Sequence, residues 1–401
     1  MSNPPNMRHV GFLLRAITAY FVGAQIIAAE TLNYYDQLDA FGFKLAQKLD
    51  ASGDHNVLIS PASIEFALGM LYAGASGDTA AEMRQALGLT SGSRDQALSE
   101  LGDLQAALTN PGAGITLKLA NAAWVDRSIR VNKSFASDLQ AKFNATFHPG
   151  DFSGAAIVSE INQWVSNATA GKISDFLENP PPPPLFLANA VYFHAKWNAP
   201  FDKHLTQQAP FYPAAGQSLT VSMMHVTGTF PYATGPGYAV VGLPYTGTRF
   251  ANYCFLPDKS VNDLVLTLQK TPWSVLSGSL RSTEGSVTLP KFKLEYGATL
   301  NQALAQLGFG IAFDSARADF QRITNNQPRL YVSDVLHKAL LEVDEEGSTA
   351  AAVTGISMRA TAIIRPKDTF DLVFDHPFVT AIVDTKTGII LFLATIAAPH
   401  A

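Results

Sequence analysis

In the first half of the chain apolar residues return every three or four positions; in the second half they alternate or run together. The first spacing is that of helices with one buried face, the second that of strands. Leu32 to Leu49 carries Phe41, Phe43, Leu45 and Leu49 and predicts the first helix of the folded part. Asn56–Ile59 reads as a short strand. Ser60-Pro61 then opens a helix, because serine caps a first-turn amide and proline suits a position whose N–H has no partner. That helix runs to about Ala73 with Ile64, Ala67, Leu68 and Leu71 on one face, until Gly74 and Gly77 break it. Helices are predicted again from Asp78 to Leu87-Gly88, between Ser93 and Thr109, and over Phe135–Phe143 and Ala156–Ala168. Ile115–Val125 and Leu185–Phe193 read as buried strands.

From Ser218 onward strand patterns dominate. Tyr238–Leu243, Asn252–Leu256 and Val287–Leu294 read as strands, and Leu300–Leu307 as a helix closed by Gly308. Leu330–Val343 begins as a strand-like run. Phe370–Phe374, Phe378–Asp384 and Ile389–Ile396 close the chain, the last two joined by the turn Thr385-Lys386-Thr387-Gly388. Helices gathered early and strands late predict an α+β fold and not alternating α/β units. Five consecutive prolines, Pro180 to Pro184, form a stiff extended connector ahead of Leu185. No repeat or low-complexity linker divides the chain, so residues 30–401 read as one domain.

Ahead of that domain, Arg8, His9 and Arg15 are basic, Ala16–Ala29 is mostly apolar, and small residues suit cleavage after Ala24, Ala28 or Ala29. Residues 1–29 therefore read as a secretory signal peptide, which predicts a secreted protein, extracellular or periplasmic. The alternative is a partly ordered first helix. With 401 residues, 47% of them hydrophobic, the chain can build a large core. The net charge of −5 and the scattered lysines and arginines point to no nucleic acid and no membrane surface as partner. The single cysteine, Cys254, lies in an apolar stretch without a partner base; it reads as a buried, inert thiol and rules out an internal disulfide. No Gly-x-Ser-x-Gly, His-Glu-x-x-His or phosphate-binding glycine loop occurs, so no catalytic residues, metal or cofactor are expected. His225 and His337 read as structural. Asn-x-Ser/Thr acceptors start at Asn132, Asn144 and Asn167.

The segment from Glu345 to Thr369 links two strand-like runs, yet it is twenty-five residues long, a length that in compact domains is usually functional. Its first half is small and β-compatible. In a strand, Ser348, Ala350, Ala352, Thr354, Ile356, Met358 and Ala360 would share one side, and Thr349, Ala351, Val353, Gly355, Ser357 and Arg359 the other. The only charge, Arg359, falls on the second side. Such a loop can enter a sheet as a new central strand.

At these residues the sequence resembles the serpin family. Glu345-Glu346-Gly347-Ser348-Thr349-Ala350-Ala351-Ala352 is similar to the hinge of its inhibitory members. Asn56–Ile64, Leu187–Trp197, Met223-Met224-His225, Leu289–Phe292, Asp375–Phe378 and Ile390–Phe392 resemble other family segments, so the likeness runs from about Asn56 to Pro399. The resemblance implies a metastable fold of three β-sheets and eight or nine helices with an exposed reactive-centre loop, about residues 345–369. It implies a monomeric suicide inhibitor of serine, and in some cases cysteine, endopeptidases. The cut loop inserts into the main sheet before the acyl-enzyme is hydrolysed and drags the protease along. By family position the hinge is Glu345 with Gly347 to Val353. Ser60, Ser63, Asn189 and His337 resemble the polar cluster beneath the opening sheet, and Trp197 with Glu345 and Lys291 the region where insertion begins. The cleaved bond falls between Thr361 and Ala362, which suits elastase-like or subtilisin-like targets. Arg359-Ala360 is the alternative and suits trypsin-like ones; Met358 is a third. The stretch from Thr361 to Pro377 is longer than in many members, and the five prolines depart from the family pattern. A non-inhibitory carrier or chaperone-like serpin is the rival reading; the hinge alanines argue against it.

Overall fold

The computed structural model describes residues 36–89, 92–112, 114–324, 329–348 and 369–399. Helices crowd the first half, as the periodicity predicts: α1 (36–49), α2 (Pro61–Gly74), α3 (Gly77–Ala86), α4 (Arg94–Thr109), α5 (Lys133–Phe143) and α6 (Ala156–Ala168). Three shorter ones follow, α7 (Val261–Leu268), α8 (Trp273–Ser279) and α9 (Asn301–Leu304). Ser60 caps α2 as expected, its Oγ accepting from Ser63 N at 3.4 Å with Pro61 in the first turn. Every residue of α2 is buried, because the helix lies between two sheets.

The first sheet contains β2 (Ile115–Asp126), β3 (Thr146–Gly150), β4 (Leu185–Lys196), β10 (Phe292–Thr299) and β11 (Asp334–Val343), in the order β10-β11-β4-β2-β3. A two-residue strand, β12 (Gly347–Ser348), adds to one end of β4. The other strands are β1 (Val57–Ile59), β5 (Gln207–Phe211), β6 (Leu219–Gly235), β7 (Tyr238–Pro244), β8 (Phe250–Pro257), β9 (Arg281–Pro290), β13 (Thr369–Val373), β14 (Phe378–Asp384) and β15 (Ile390–Ile396). Hydrogen bonds join them into one network, because the long β6 serves two groups of strands. It pairs with β5 and β9 over most of its length and with β7 through Tyr232–Gly235. Two of the three expected sheets thus meet through a single strand.

Val287–Leu294, read as one strand, is the end of β9 and the start of β10. Pro290 closes β9, Lys291 N donates to Ser222 O at 2.8 Å, and the apolar run continues into the other sheet. An apolar pattern cannot report that its two halves are buried against different neighbours. The helix expected over Leu300–Leu307 is regular only in α9, and Gly308 at φ +96° ends the wider turn after it. Edge strands β3 and β5 and the short α7 and α8 escaped the sequence reading. The main core fills the space around α2; a second cluster, with Trp124, Phe186, Tyr192 and Ile161, lies between the first sheet and α6. Residues 1–29, read as a leader, lie outside the described residues. Among the described residues no helix is long and apolar enough to cross a membrane.

Candidate functional site

The site is the seam between β4 and β11. These strands are neighbours and parallel, in register from Phe186 with Asp334 to Tyr192 with Leu340. β4 is buried on both faces over most of its length: Leu187, Val191 and Phe193 belong to the main core, Phe186, Ala190 and Tyr192 to the cluster under α6. That explains why its sequence is apolar apart from Asn189 until the strand's far end.

Midway along the seam stands a buried polar group. Asn189 of β4 and His337 of β11 form one rung. His337 Nδ1 meets Asn189 Oδ1, so a hydrogen bond between side chains crosses the seam. Asn189 Nδ2 reaches Ser63 Oγ at 2.6 Å and Ser63 O at 3.0 Å on α2, and also Asn121 Oδ1 on β2. Its amide nitrogen is thereby the donor, so Asn189 Oδ1 accepts and His337 Nδ1 carries the proton. His337 Nε2 is then the acceptor for Ser60 N at 3.3 Å. The ring must stay neutral for both bonds, and burial pushes its pKa down to about 3. The four predicted residues Ser60, Ser63, Asn189 and His337 are brought together and buried. Asn121 completes the group and was missed; its place opposite Asn189 on β2 is a matter of strand register that the local sequence does not report.

At its other end the seam opens. Beyond Tyr192 and Leu340 the strands part, and the chain leaving β11 turns back onto β4. Asp344 Oδ1 accepts from Glu346 N at 2.9 Å and Gly347 N at 3.1 Å, and β12 then pairs antiparallel, Gly347 with Lys196 and Ser348 with Ala195. Gly347 has φ +151°, and a Cβ there would stand 2.2 Å from Ala195 O, so only glycine fits this approach. Trp197 anchors the turn: its ring stacks on Tyr245 at 4.5 Å, Nε1 donates to Asp344 O at 2.8 Å, and its amide donates to Glu346 O at 2.9 Å. The Glu345 carboxylate is buried between Lys291 Nζ and Thr206 Oγ1, each at 3.0 Å. Burial raises its carboxyl, but hydrogen bonds from its own amide, Lys291 and Thr206 outweigh that and hold it below the usual range. Glu346 pairs with the exposed Lys203. Glu345, Gly347, Trp197 and Lys291 are therefore brought together here, with Thr206 and Lys203, which the sequence reading did not name, beside them. Ser348 is reached by its backbone; Thr349, Ala350, Ala351, Ala352, Arg359, Ala360, Thr361 and Ala362 lie outside the described residues.

Elsewhere, burial pushes the Cys254 thiol up to about 12, which leaves it unreactive. Among the described residues no group of three or more His, Cys, Asp or Glu could hold a metal ion.

A helix-rich α+β fold whose main sheet has a parallel central pair, with the next segment turned into its open end, defines a protease inhibitor of the serpin class. The family model for serpins (serine protease inhibitors) matches residues 36–399, and the chain belongs to that family. It is 35% identical over 374 residues to intracellular coagulation inhibitor 2 of Tachypleus tridentatus, covering 91% of this chain and 90% of that one. It is 32% identical to leukocyte elastase inhibitor A of Mus musculus, over 90% of this chain and 97% of the relative. Among solved structures, human thyroxine-binding globulin superposes with a TM-score of 0.84 at 25% identity, over 92% of this chain and all of that one. The family is one of inhibitors, so the chain is not an enzyme.

Proposed function

We propose that this serpin is a suicide inhibitor of endopeptidases, above all serine ones, whose loop, about residues 345–369, is cut and then enters the first sheet between β4 and β11. One observation carries the reading: Gly347 and Ser348 already pair with Lys196 and Ala195 where the seam opens. Carried along β4, that register brings Ala350 opposite Phe193, Ala352 opposite Val191, Thr354 opposite Asn189 and Met358 opposite Leu185. Opposed residues share a face. Ser348, Ala350, Ala352 and Thr354 would thus turn toward the main core, where they are small enough to enter without repacking it. Insertion exchanges one parallel pair for two antiparallel ones and adds about ten rungs along β4, each hydrogen bond contributing roughly 1 kcal/mol net. The uncut protein lacks those bonds and persists behind a kinetic barrier. The Asn189–His337 bond and the contacts of Glu345, Trp197 and Lys291 supply part of that barrier.

In the trapping step the target's serine Oγ adds to the carbonyl carbon of the bait residue. The bond to the next nitrogen breaks, that nitrogen leaves with the proton as a new amino terminus, and an ester joins the two proteins. The fourteenth residue after Gly347 is Thr361, so Thr361–Ala362 is the proposed bond and Arg359–Ala360 the alternative. A small bait residue fits elastase-like or subtilisin-like enzymes, and the likeness to a leukocyte elastase inhibitor supports that choice. The proposed setting is outside the cell or in the periplasm, reached through residues 1–29, with the protein a monomer. The likeness to thyroxine-binding globulin favours a carrier as the second reading. Incubation with a panel of serine and cysteine proteases on denaturing gels tests both. A complex that survives boiling, with Ala362 as the new terminus of the released fragment, is expected; Ala360 would make Arg359 the bait. Loop cleavage with no such complex from any enzyme would favour the carrier.

A further inference from the structure

The five prolines ahead of β4 stand at the end of the seam opposite β12. Pro181 is buried, whereas Pro182 and Pro183 are exposed. The run is tied to the strands around it. Pro184 O accepts from Asp126 N at 2.8 Å, at the end of β2. Ser333, the residue before β11, donates through Oγ to Pro182 O at 2.6 Å and to Leu185 O at 2.7 Å, and through its amide to Leu185 O at 2.8 Å. Both strands of the seam thus end on one proline segment.

Proline has no N–H to offer a neighbouring strand, and its ring fixes φ near −65°. Leu185 is therefore the last ladder donor of β4 at this end. Were the register of β12 carried along the whole of β4, Leu185 would face Met358. We propose that Pro180–Pro184 is the end stop for the inserted loop and the bearing surface on which the acylated protease comes to rest; this depends on the insertion reading above. After insertion Arg359, Ala360 and Thr361 would find no donors on the proline run and would form an unpaired tether, about 10 Å when extended. The partner is the face of the target around its acylated serine, held by that tether against the exposed rings of Pro182 and Pro183. A segment whose φ angles are all fixed yields less to it than an ordinary linker does. The load then falls on the protease, whose catalytic groups are drawn away from the ester they must hydrolyse. An ordinary flexible linker there would give way, let those groups return and release the enzyme.

The test is the lifetime of the covalent complex formed with elastase, followed as recovered protease activity. Replacing the two exposed rings nearer β4 (Pro182→Gly with Pro183→Gly) is expected to speed release about tenfold or more, since a displacement of even 1 Å in a catalytic site changes rates on that scale. The loop-cut variant should still melt later than its uncut form, as the parent does. Unchanged release with insertion intact overturns the proposal; loss of the late melting in the parent overturns the insertion reading as well. Should the double variant not fold, Pro183→Cys labelled with a benzophenone reports contact directly. Cross-linked peptides from the trapped protease are expected, and their absence from a complex whose loop has inserted contradicts the bearing surface.

Discussion

Two seams in this molecule both face the core and are differently built. β14 and β15 are buried at every position, antiparallel, and joined by a short turn. Asp384 at the end of β14 is clamped by Arg249, whose Nη2 lies 3.0 Å away and whose Nη1 and Nη2 also hold carbonyls near the end of α4. β4 is buried along most of its length and β11 at every core-facing position, but they are parallel, come from distant parts of the chain, and are bridged at one rung by the polar pair Asn189–His337. Burial alone does not decide which seam can open. What differs is what a new strand would gain: between β4 and β11 a third chain running the opposite way finds donors and acceptors on both sides. Between β14 and β15 the tight connection and existing antiparallel ladder leave no such gain.

The largest effect that would break this contrast comes from Ala352→Pro. Opposite Val191 a proline offers no ladder donor, so the loop should be cut at the normal rate while no boiling-resistant complex forms on a denaturing gel. Persistence of the complex would mean that the loop does not enter at this register. Next is a matched pair of truncations. Asn189→Ala leaves buried partners on Ser63, Asn121 and His337 unpaired, at about 1–3 kcal/mol for each group stranded. It should lower the melting temperature of the uncut protein more than that of the cut one, where β4 and β11 are already apart. Thr380→Ala in β14, which removes a bond to Asn252, should lower both alike.

Acid probes the same rung more gently. His337 has a folded-state pKa of about 3, below its ordinary 6.5. Its stabilising contribution is therefore complete above pH 6.5 and drains as the pH falls toward 3, by at most about 1.4 kcal/mol per pH unit. Urea midpoints at pH 7 and pH 4.5 should converge in His337→Gln relative to the parent; an unchanged slope would mean the ring is not held neutral. The smallest effects belong to the ion pairs at the open end. Lys291→Ala, which strands the buried Glu345, should speed the spontaneous loss of inhibition on standing. Lys203→Ala removes the more exposed of the two lysines and should change that rate less than Lys291→Ala does.

Much of this was legible in the sequence. Ser60-Pro61 and the largely apolar run of β4 each carry a local physical signature, and each stands where that signature requires. The polar residues Ser60, Ser63, Asn189 and His337 could be named through family resemblance, but not their geometry. Asn121 joins them only through the pairing of β2 with β4, and Thr206 reaches Glu345 only through the turn after β11. The division of Val287–Leu294 between two sheets was hidden for a similar reason. Each of these depends on long-range register, which local hydrophobic period does not encode.

The most direct test of the opening seam is thermal unfolding of the protein before and after a single cut in the loop. With the cut chain paired between β4 and β11, the cleaved sample should melt far above the intact one. Coincident melting curves would contradict it.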